Sequence, residues 1–401
     1  MAITETKSHS ASRPRVLIVH NTYQQRGGED SVVEAECALL REAGHEVELY
    51  QRNNADVASR GQLQLAVDTV WSRRTTTEIG QLIERFAPDV IHVHNTLALI
   101  SPSVYWAAAR AGVPVVQTLH NFRLMCPQGM LLREEAVCED CVGKLPWRAV
   151  AHRCYRGSTG ASAVIAATIT VHRALGTFQN KVTRFIALNE FCRDKFVASG
   201  LPANRIRIKP NFIDMPAAIT SANQARVGGL FVGRLTAEKG VRVLLDALRQ
   251  CESVTMTVVG TGELEGEVSA VGAANWLGFK PLDEILRLMH AASYLVLPSI
   301  WFENFPRTIV EAYACSLPVI ASRLGALPEI VLDGETGLLF DPNSAGDLAQ
   351  KLQWAATHPD EMLAMGRNAR ARYERLYTPR ANYNLLSGIY AESIESRVRH
   401  A

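Results

Sequence analysis

The sequence lacks the features that define several large classes of protein. No apolar run in its 401 residues approaches the roughly 20 residues that a membrane-spanning helix needs. Its polar start, MAITETKSHSASRP, has no apolar core of the kind found in a secretory signal. Lys and Arg (42) nearly balance Asp and Glu (40), so the formal net charge is +2 and no nucleic-acid partner is expected. We therefore expect a globular cytoplasmic protein with a disordered tail over residues 1–13.

Eight cysteines in 401 residues are too few for a secreted disulfide framework. Four of them, however, cluster as C-x11-C-x2-C-x12-C: Cys126, Cys138, Cys141 and Cys154. The tight spacing of Cys138 and Cys141 is typical of a zinc knuckle. Two interpretations remain open for this array, a structural zinc ion and four reduced thiols.

Alternating elements predict an α/β chain with parallel strands. A hydrophobic composition of 47% over 401 residues is enough for two cores. Short β-branched runs alternate with helical stretches, for example a strand over Val16–Val19, a polar loop over Asn21–Asp30 and a helix over Ala161–Phe178. The predicted segments are a tail (1–13), an N-terminal Rossmann-like domain (14–209) with a Cys-rich insert (121–157), a linker (210–225), a C-terminal Rossmann-like domain (226–379) and a last helix (380–401).

Two carboxylates stand out in the C-terminal half. A strand is predicted over Tyr294–Leu297, followed by a loop that contains Glu303. A helix that carries Glu311 is predicted to begin near Pro306, with helical backbone from about Phe305 onward. Such a helix would place the two carboxylates about 12 Å apart. That distance is close to the span from the sugar to the ribose of a nucleotide sugar, and N–H groups at a helix start face anionic phosphate. The alternative is two solvated glutamates.

Two cations, Arg234 and Lys239, flank a glycine turn in FVGRLTAEKG. A planar guanidinium and a compact ammonium together suit a diphosphate, although a pair of surface cations is the simpler interpretation. The later turn with Gly260 and Gly262 is no dinucleotide-binding fingerprint, because its third glycine, Gly266, comes one place late and no acidic ribose partner follows.

These segments, with Gly325-Ala326-Leu327-Pro328-Glu329 and Gly334-Glu335-Thr336-Gly337, come in an order that resembles the retaining glycosyltransferases of family 4, also called group 1. The resemblance implies the GT-B fold, in which two Rossmann-like domains face each other across a cleft and the C-terminal helix crosses back to the N-terminal domain. It also implies transfer of a sugar from a nucleotide diphosphate sugar to a saccharide or lipid-linked acceptor, in cell-envelope or exopolysaccharide biosynthesis. The reaction would keep the anomeric configuration of the donor.

The resemblance also assigns residues, and it implies catalysis without a cofactor because cations would neutralise the leaving group. The implied catalytic residues are His120, Arg234, Lys239 and Glu303. The implied donor-binding residues are Gly27, Gly28, Gly233, Arg234, Lys239, Gly260, Gly262, Glu303, Asn304, Phe305 and Glu311. His94 is a further candidate on the acceptor side.

A basic and aromatic stretch follows the cysteine knuckle and contains Lys144, Trp147, Arg148, Tyr155 and Arg156. Such residues suit an anionic membrane surface on the inner leaflet, and a solvated basic loop is the alternative. Two other functions also stay open on the same fold. A sugar-nucleotide epimerase would turn over donor without an acceptor, and a non-catalytic scaffold would bind donor without turnover.

Overall fold

A computed structural model describes residues 13–24, 27–215, 226–251 and 253–398. Residues 1–12 of the predicted tail and 216–225 of the predicted linker lie outside this described part. The chain forms two compact units. The first takes in the chain up to Gln117 with Asn180–Arg184 and the chain from Ile389, and the second takes in Thr118–Gln179 and Phe185–Gly388.

Fourteen strands occur in the described residues, and twelve of them form two six-stranded sheets. The strands are β1 (Val16–Thr22), β2 (Val47–Asn53), β3 (Val90–Asn95), β4 (Val115–Thr118), β5 (Leu132–Arg133), β6 (Ala136–Val137), β7 (Arg184–Ala187), β8 (Ile206–Ile208), β9 (Gly229–Val232), β10 (Met256–Val259), β11 (Ala274–Trp276), β12 (Tyr294–Leu297), β13 (Val319–Ser322) and β14 (Gly337–Phe340). The remaining two, β5 and β6, form a small antiparallel hairpin.

Both large sheets contain parallel pairs, in the orders β2-β1-β3-β4-β7-β8 and β11-β10-β9-β12-β13-β14. In each sheet, the strands that directly follow the first one in the chain lie on one side of it, and the later strands lie on its other side. Strands β9, β12, β13 and β14 are buried along their whole length, as expected where helices cover both faces of a parallel sheet. The α/β, Rossmann-like prediction is confirmed for both sheets.

Sixteen α-helices connect and cover these strands in the described residues. They are α1 (Gly28–Glu42), α2 (Gln62–Val70), α3 (Arg73–Phe86), α4 (Ser103–Arg110), α5 (Trp147–Ala151), α6 (Thr159–Ala174), α7 (Thr177–Asn180), α8 (Glu190–Ala198), α9 (Val241–Leu248), α10 (Glu265–Ser269), α11 (Leu282–Ala291), α12 (Arg307–Ala314), α13 (Leu327–Ile330), α14 (Ala345–Thr357), α15 (Pro359–Leu376) and α16 (Pro379–Val398).

Predicted boundaries were wrong at the first strand, at the loop after it and in the helix of residues 161–178. The loop predicted over Asn21–Asp30 is shorter, since β1 ends at Thr22 and α1 begins at Gly28. The first strand continues to Thr22, past the apolar run, because backbone pairing with β2 extends to Thr22 opposite Asn53 whatever the side chains are. The helix predicted over Ala161–Phe178 is two helices, since Gly176 adopts a positive φ of 62° that ends α6 before α7 begins.

The last helix returns to the N-terminal sheet, as the resemblance implied. Its residues from Ile389 belong to the first unit, where Tyr390 is fully buried. The Tyr390 hydroxyl lies 2.8 Å from Nδ1 of His92 on β3, and Arg184 Nε lies 3.4 Å from the Glu392 carboxylate. Helix α16 therefore packs on the sheet that contains β3.

Candidate active site

Glu303 lies in the loop between β12 and α12. The loop leaves the carboxyl end of a central parallel strand, where open α/β sheets bind their ligands. Helix α12 begins at Arg307, slightly later than predicted, because Pro306 has an extended backbone (φ −69°, ψ 116°) and caps the helix. The Glu303 residue is only 4% exposed, so its carboxylate needs partners within the protein.

Three donors converge on one oxygen of this carboxylate. Glu303 Oε1 accepts from Lys239 Nζ at 2.7 Å and from Ser299 Oγ at 2.7 Å. The indole Nε1–H of Trp301 donates to the same oxygen at 3.1 Å, and Lys239 Nζ lies 5.3 Å from the centroid of the Trp301 ring. The Glu303 side chain is thus fixed by one ion pair and two neutral donors.

Lys239 reaches Glu303 because two loops pack closely. A short turn, Ala237–Lys239, follows β9, and Gly240 ends it with a positive φ of 70°. A Cβ at Gly240 would lie 1.7 Å from the carbonyl oxygen of Pro298, at the start of the Glu303 loop. Only glycine permits this approach, so the sequence KG places the ammonium beside the carboxylate.

Arg234 lies in the same turn but is far more open to solvent. Its side chain is 63% exposed, and Nη2 lies 2.9 Å from Oε1 of Glu238. An exposed pair of this kind contributes little to stability. The guanidinium can therefore turn toward a phosphate at low cost.

The predicted glycines of the turn after β10 serve the packing of the backbone. A Cβ at Gly260 would lie 1.8 Å from Gly233 O, and one at Gly262 would lie 2.4 Å from Leu235 O. The N–H groups of Gly233, Gly260 and Gly262 donate to Val259 O, Gly278 O and Glu265 Oε1 respectively. These glycines bring two loops together, and their N–H groups are already hydrogen-bonded within the protein.

Asn304 connects Glu303 to the segment that carries His120. Its Nδ2 donates to the carbonyl of His120 at 2.5 Å, and its own carbonyl accepts from Nδ2 of Asn189, the residue that caps α8. The neighbouring Phe305 is buried and packs edge-on against Tyr377, with ring centroids 5.6 Å apart. The second unit therefore brings the predicted residues His120, Lys239, Glu303 and Asn304 into one region.

Glu311, the second predicted carboxylate, is buried on α12. Its Oε1 lies 4.0 Å from Nη2 of Arg307, one turn earlier on the helix. Burial raises the pKa of Glu311, and the Arg307 charge opposes that rise only in part. A buried carboxylate with so few charged neighbours is suited to accept hydrogen bonds from neutral hydroxyl groups.

Gly27, Gly28 and His94 belong to the first unit. Gly27 precedes α1 and its N–H donates to Asp30 Oδ2 at 2.8 Å, while Asp30 Oδ1 lies 2.8 Å from His20 Nε2. His94 is buried on β3 beside Glu36. The turn at Gly27 is therefore fixed by a buried carboxylate, whose importance sequence reasoning did not anticipate.

Of the four clustered cysteines, Cys126 and Cys141 are buried, and Cys138 and Cys154 are partly buried. Burial, with a smaller contribution from Cys126, raises the pKa of Cys141 to about 11, and the same causes raise the pKa of Cys154. Among the described residues, the group with the spacing of metal ligands is Glu36, His92 and His94 rather than these thiols. A zinc ion at the cysteines stays a prediction.

Sequence reasoning missed two of the groups that hold Glu303. Ser299 and Trp301 precede Glu303 by four and two residues, and only the fold of the loop shows that both donate to it. The available signal was a tryptophan beside a carboxylate in a loop after a buried strand.

Across the described residues, none of the helices combines the length and the apolar composition that crossing a membrane requires.

Two known families match most of the chain between them. The family described as "Glycosyl transferase 4-like domain" matches residues 27–211, and "Glycosyl transferases group 1" matches residues 223–372. An uncharacterised glycosyltransferase of Methanocaldococcus jannaschii is 36% identical over 148 residues, which cover 35% of this chain and 42% of that protein. A glycosyltransferase of amylovoran biosynthesis from Erwinia amylovora is 27% identical over 225 residues, 51% of this chain and 55% of that protein. The matched segments thus span about half the length of these relatives.

Solved structures share the fold. The crystal structure of an Anabaena protein, HepE, in complex with UDP superposes with a TM-score of 0.65, covering 94% of this chain and all of HepE. The sequence identity is 19%, so this likeness concerns the fold alone.

Proposed function

The chain belongs to the group 1 glycosyltransferases and has the GT-B fold, and from this premise we propose that it is a retaining glycosyltransferase. It would move a sugar from a nucleotide diphosphate sugar to a saccharide or lipid-linked acceptor in cell-envelope or exopolysaccharide biosynthesis. The named relative from Erwinia amylovora supports this setting, and HepE, crystallised with UDP, supports a nucleotide diphosphate donor.

One observation carries the proposal: Lys239, Glu303, Asn304 and His120, all predicted to act on the donor, meet in one region of the second unit. Departure of a nucleoside diphosphate leaves negative charge on the leaving phosphate, and positioned cations stabilise such charge in the transition state. Lys239 supplies a fixed ammonium there, and Arg234 adds an exposed guanidinium.

The two carboxylates have different tasks in this proposal. Glu303 uses Oε1 for three protein donors and keeps Oε2 for hydroxyls of the sugar near the reacting carbon. Glu311 accepts the ribose hydroxyls. His120 would contact the donor sugar, as the family resemblance implies.

Retention would follow from attack on the face that the phosphate leaves. The acceptor hydroxyl oxygen forms the new bond to the anomeric carbon as the carbon–oxygen bond to phosphate breaks, and the hydroxyl proton passes to the departing phosphate oxygen. The chemistry uses protein cations and the substrate's own phosphate, so the proposal includes no catalytic cofactor. A structural zinc at Cys126, Cys138, Cys141 and Cys154 is a separate part of it, which metal analysis of purified protein with and without chelator tests.

We extend the proposal to an inner-leaflet acceptor because of the surface around α5. Leu145 and Trp147 are 61% and 64% exposed, and Lys144, Arg148 and Arg153 beside them are exposed cations. Apolar side chains flanked by cations suit the boundary of an anionic bilayer. The enzyme would then work in the cytoplasm at the membrane surface.

The test begins with the donor. A thermal-shift screen of nucleoside diphosphates identifies the base, and the matching nucleotide sugars are then assayed with and without candidate acceptors. Release of nucleoside diphosphate that depends on acceptor, with a product of unchanged anomeric configuration by NMR, is the expected result. Conversion of donor to an epimer without acceptor would instead identify an epimerase, and donor binding with no turnover across acceptors would identify a scaffold.

A further inference from the structure

Glu36, His92 and His94 form a buried group, of which only His94 has so far been given a candidate role, on the acceptor side. Glu36 lies on α1, while His92 and His94 are alternate residues of β3 and so project to the same face of the sheet. The three residues are 0%, 0% and 3% exposed. Three side chains that commonly bind metals thus face one another in the core of the first unit.

The distances between the three side chains suit ligands that share one metal ion. Glu36 Oε2 lies 3.7 Å from His92 Nδ1 and 3.6 Å from His94 Nε2, beyond the range of a direct N–H···O bond. All three atoms lie within 4.8 Å of one another. A triangle of this size has a point about 2.0–2.4 Å from each corner, which matches zinc–nitrogen and zinc–oxygen bonds of about 2.0–2.2 Å.

The chemistry of the three side chains also favours a cation at this point. Two neutral imidazoles and one carboxylate can share a divalent ion, a ligand set that suits zinc and its neighbours among the transition metals. The ring centroids of His92 and His94 are 4.1 Å apart, so both rings lie close to the same point.

Tyr390 lies next to this group. Its hydroxyl oxygen is at hydrogen-bond distance, 2.8 Å, from His92 Nδ1, and the residue is fully buried on α16. With an ion bound, this oxygen would coordinate the ion in place of that hydrogen bond, giving four protein ligands as in closed structural metal sites. The ion would then connect α1, β3 and α16.

We propose that Glu36, His92 and His94 bind a structural divalent transition-metal ion of the zinc class, with Tyr390 as the fourth donor. The site is separate from the cysteine array and from the donor site, so it stands or falls independently of the transferase activity. Its role is to fix the returning C-terminal helix against the N-terminal sheet.

The test measures metal bound per chain in the full-length protein, purified after expression with added Zn²⁺. Glu36→Gln and His94→Gln should each lose one equivalent of zinc relative to the unmodified protein. His172→Gln is the matched control, since His172 is equally buried but lies in the second unit beside Thr177 Oγ1, and it should keep the full amount. Cys138→Ser should also keep this equivalent, whatever it does to zinc at the cysteines.

A second measurement uses cobalt in place of zinc. Refolding the chain with Co²⁺ should give the visible absorption of cobalt in a nitrogen and oxygen site, and this band should persist in Cys138→Ser. Equal metal content in the unmodified protein, Glu36→Gln and His94→Gln, with no such cobalt band, would overturn the proposal. The carboxylate and the imidazoles would then be joined only by protons or a buried water molecule.

Discussion

Lys239 Nζ lies 2.7 Å from Glu303 Oε1, so a cation expected to hold the donor's diphosphate is bound to the carboxylate expected to hold its sugar. Both side chains are largely buried. An ammonium has three N–H donors, so Lys239 can keep Glu303 and still donate to a phosphate oxygen. The pair couples the binding of phosphate to the position of the carboxylate.

Lys239→Met should lower kcat/KM by about 10²–10³, the usual effect of removing one donor from developing negative charge. It should also lower the melting temperature, because Glu303 would lose its charged partner in a buried site. Steady-state kinetics and thermal unfolding measure the two effects. Lys351→Met on α14 is the control and should change neither; an unaltered kcat/KM in Lys239→Met would contradict the assignment.

Arg234→Ala separates binding from stability. Because Arg234 is exposed and its pair with Glu238 contributes about 0–1 kcal/mol at most, the melting temperature should stay within a degree or two. Donor affinity, measured by calorimetry with the nucleotide sugar, should fall about tenfold or more through loss of a charged phosphate contact. If Arg234→Ala combined with Lys239→Ala bound and turned over donor normally, the diphosphate would have to be held elsewhere.

Much of the site could be predicted from sequence because its residues follow recognisable strand and helix signals. Arg234 and Lys239 come just after a buried strand, and Glu303 comes between a strand and a helix, so their places at one sheet edge follow from the alternation. Helix α14 also follows from local features, because its apolar spacing and its capping Ser344 mark it in the sequence.

What could not be predicted depends on contacts between distant segments. Nothing local in the sequence shows that Gly240 must pass against the Pro298 carbonyl, or that Trp301 points its N–H at Glu303. Glu36 meets His92 and His94 only because α1 packs on β3. Such partners are set by tertiary packing, which periodicity does not encode.

Trp301→Phe should reveal a positioning role. Phenylalanine keeps an aromatic face near Lys239 but removes the Nε1–H that Glu303 accepts. Because hydrogen bonds to charged groups contribute about 1.5–3 kcal/mol, we expect kcat to fall about tenfold or more with little change in donor affinity. Leu282→Ala, a change at an exposed residue of α11, provides the control for stability. Equal losses in donor affinity and kcat would indicate instead that Trp301 itself contacts the donor.

The raised pKa of Glu311 predicts that donor binding depends on pH. Burial raises its pKa, so the folded protein holds that proton more tightly than the unfolded chain does, where the value is about 4.3. The stability that Glu311 contributes therefore falls as pH increases from about 4.3 through the raised pKa. Over the same range Glu311 becomes ionised, which is the form that accepts hydrogen bonds from the ribose hydroxyls. Affinity for the nucleotide sugar should increase over the same range. Glu311→Gln should remove this dependence; an unchanged profile would assign the titration to another group.

The exposed surface around α5 should bind anionic bilayers. Sedimentation with vesicles of phosphatidylglycerol and phosphatidylcholine should recover the protein with the anionic vesicles, less so at high salt, because cations near the surface contribute about 1 kcal/mol each. Trp147→Ala should weaken binding by removing an exposed apolar side chain, and Arg148→Gln by removing a charge. Phe279→Ala is the matched control, since Phe279 is even more exposed than Trp147 but lies on a different loop, after β11. Equal recovery with neutral and anionic vesicles would contradict this proposal. So would equal binding by Trp147→Ala and the unmodified protein. The surface would then be a solvated loop, and the proposal of a membrane-bound acceptor would lose its support.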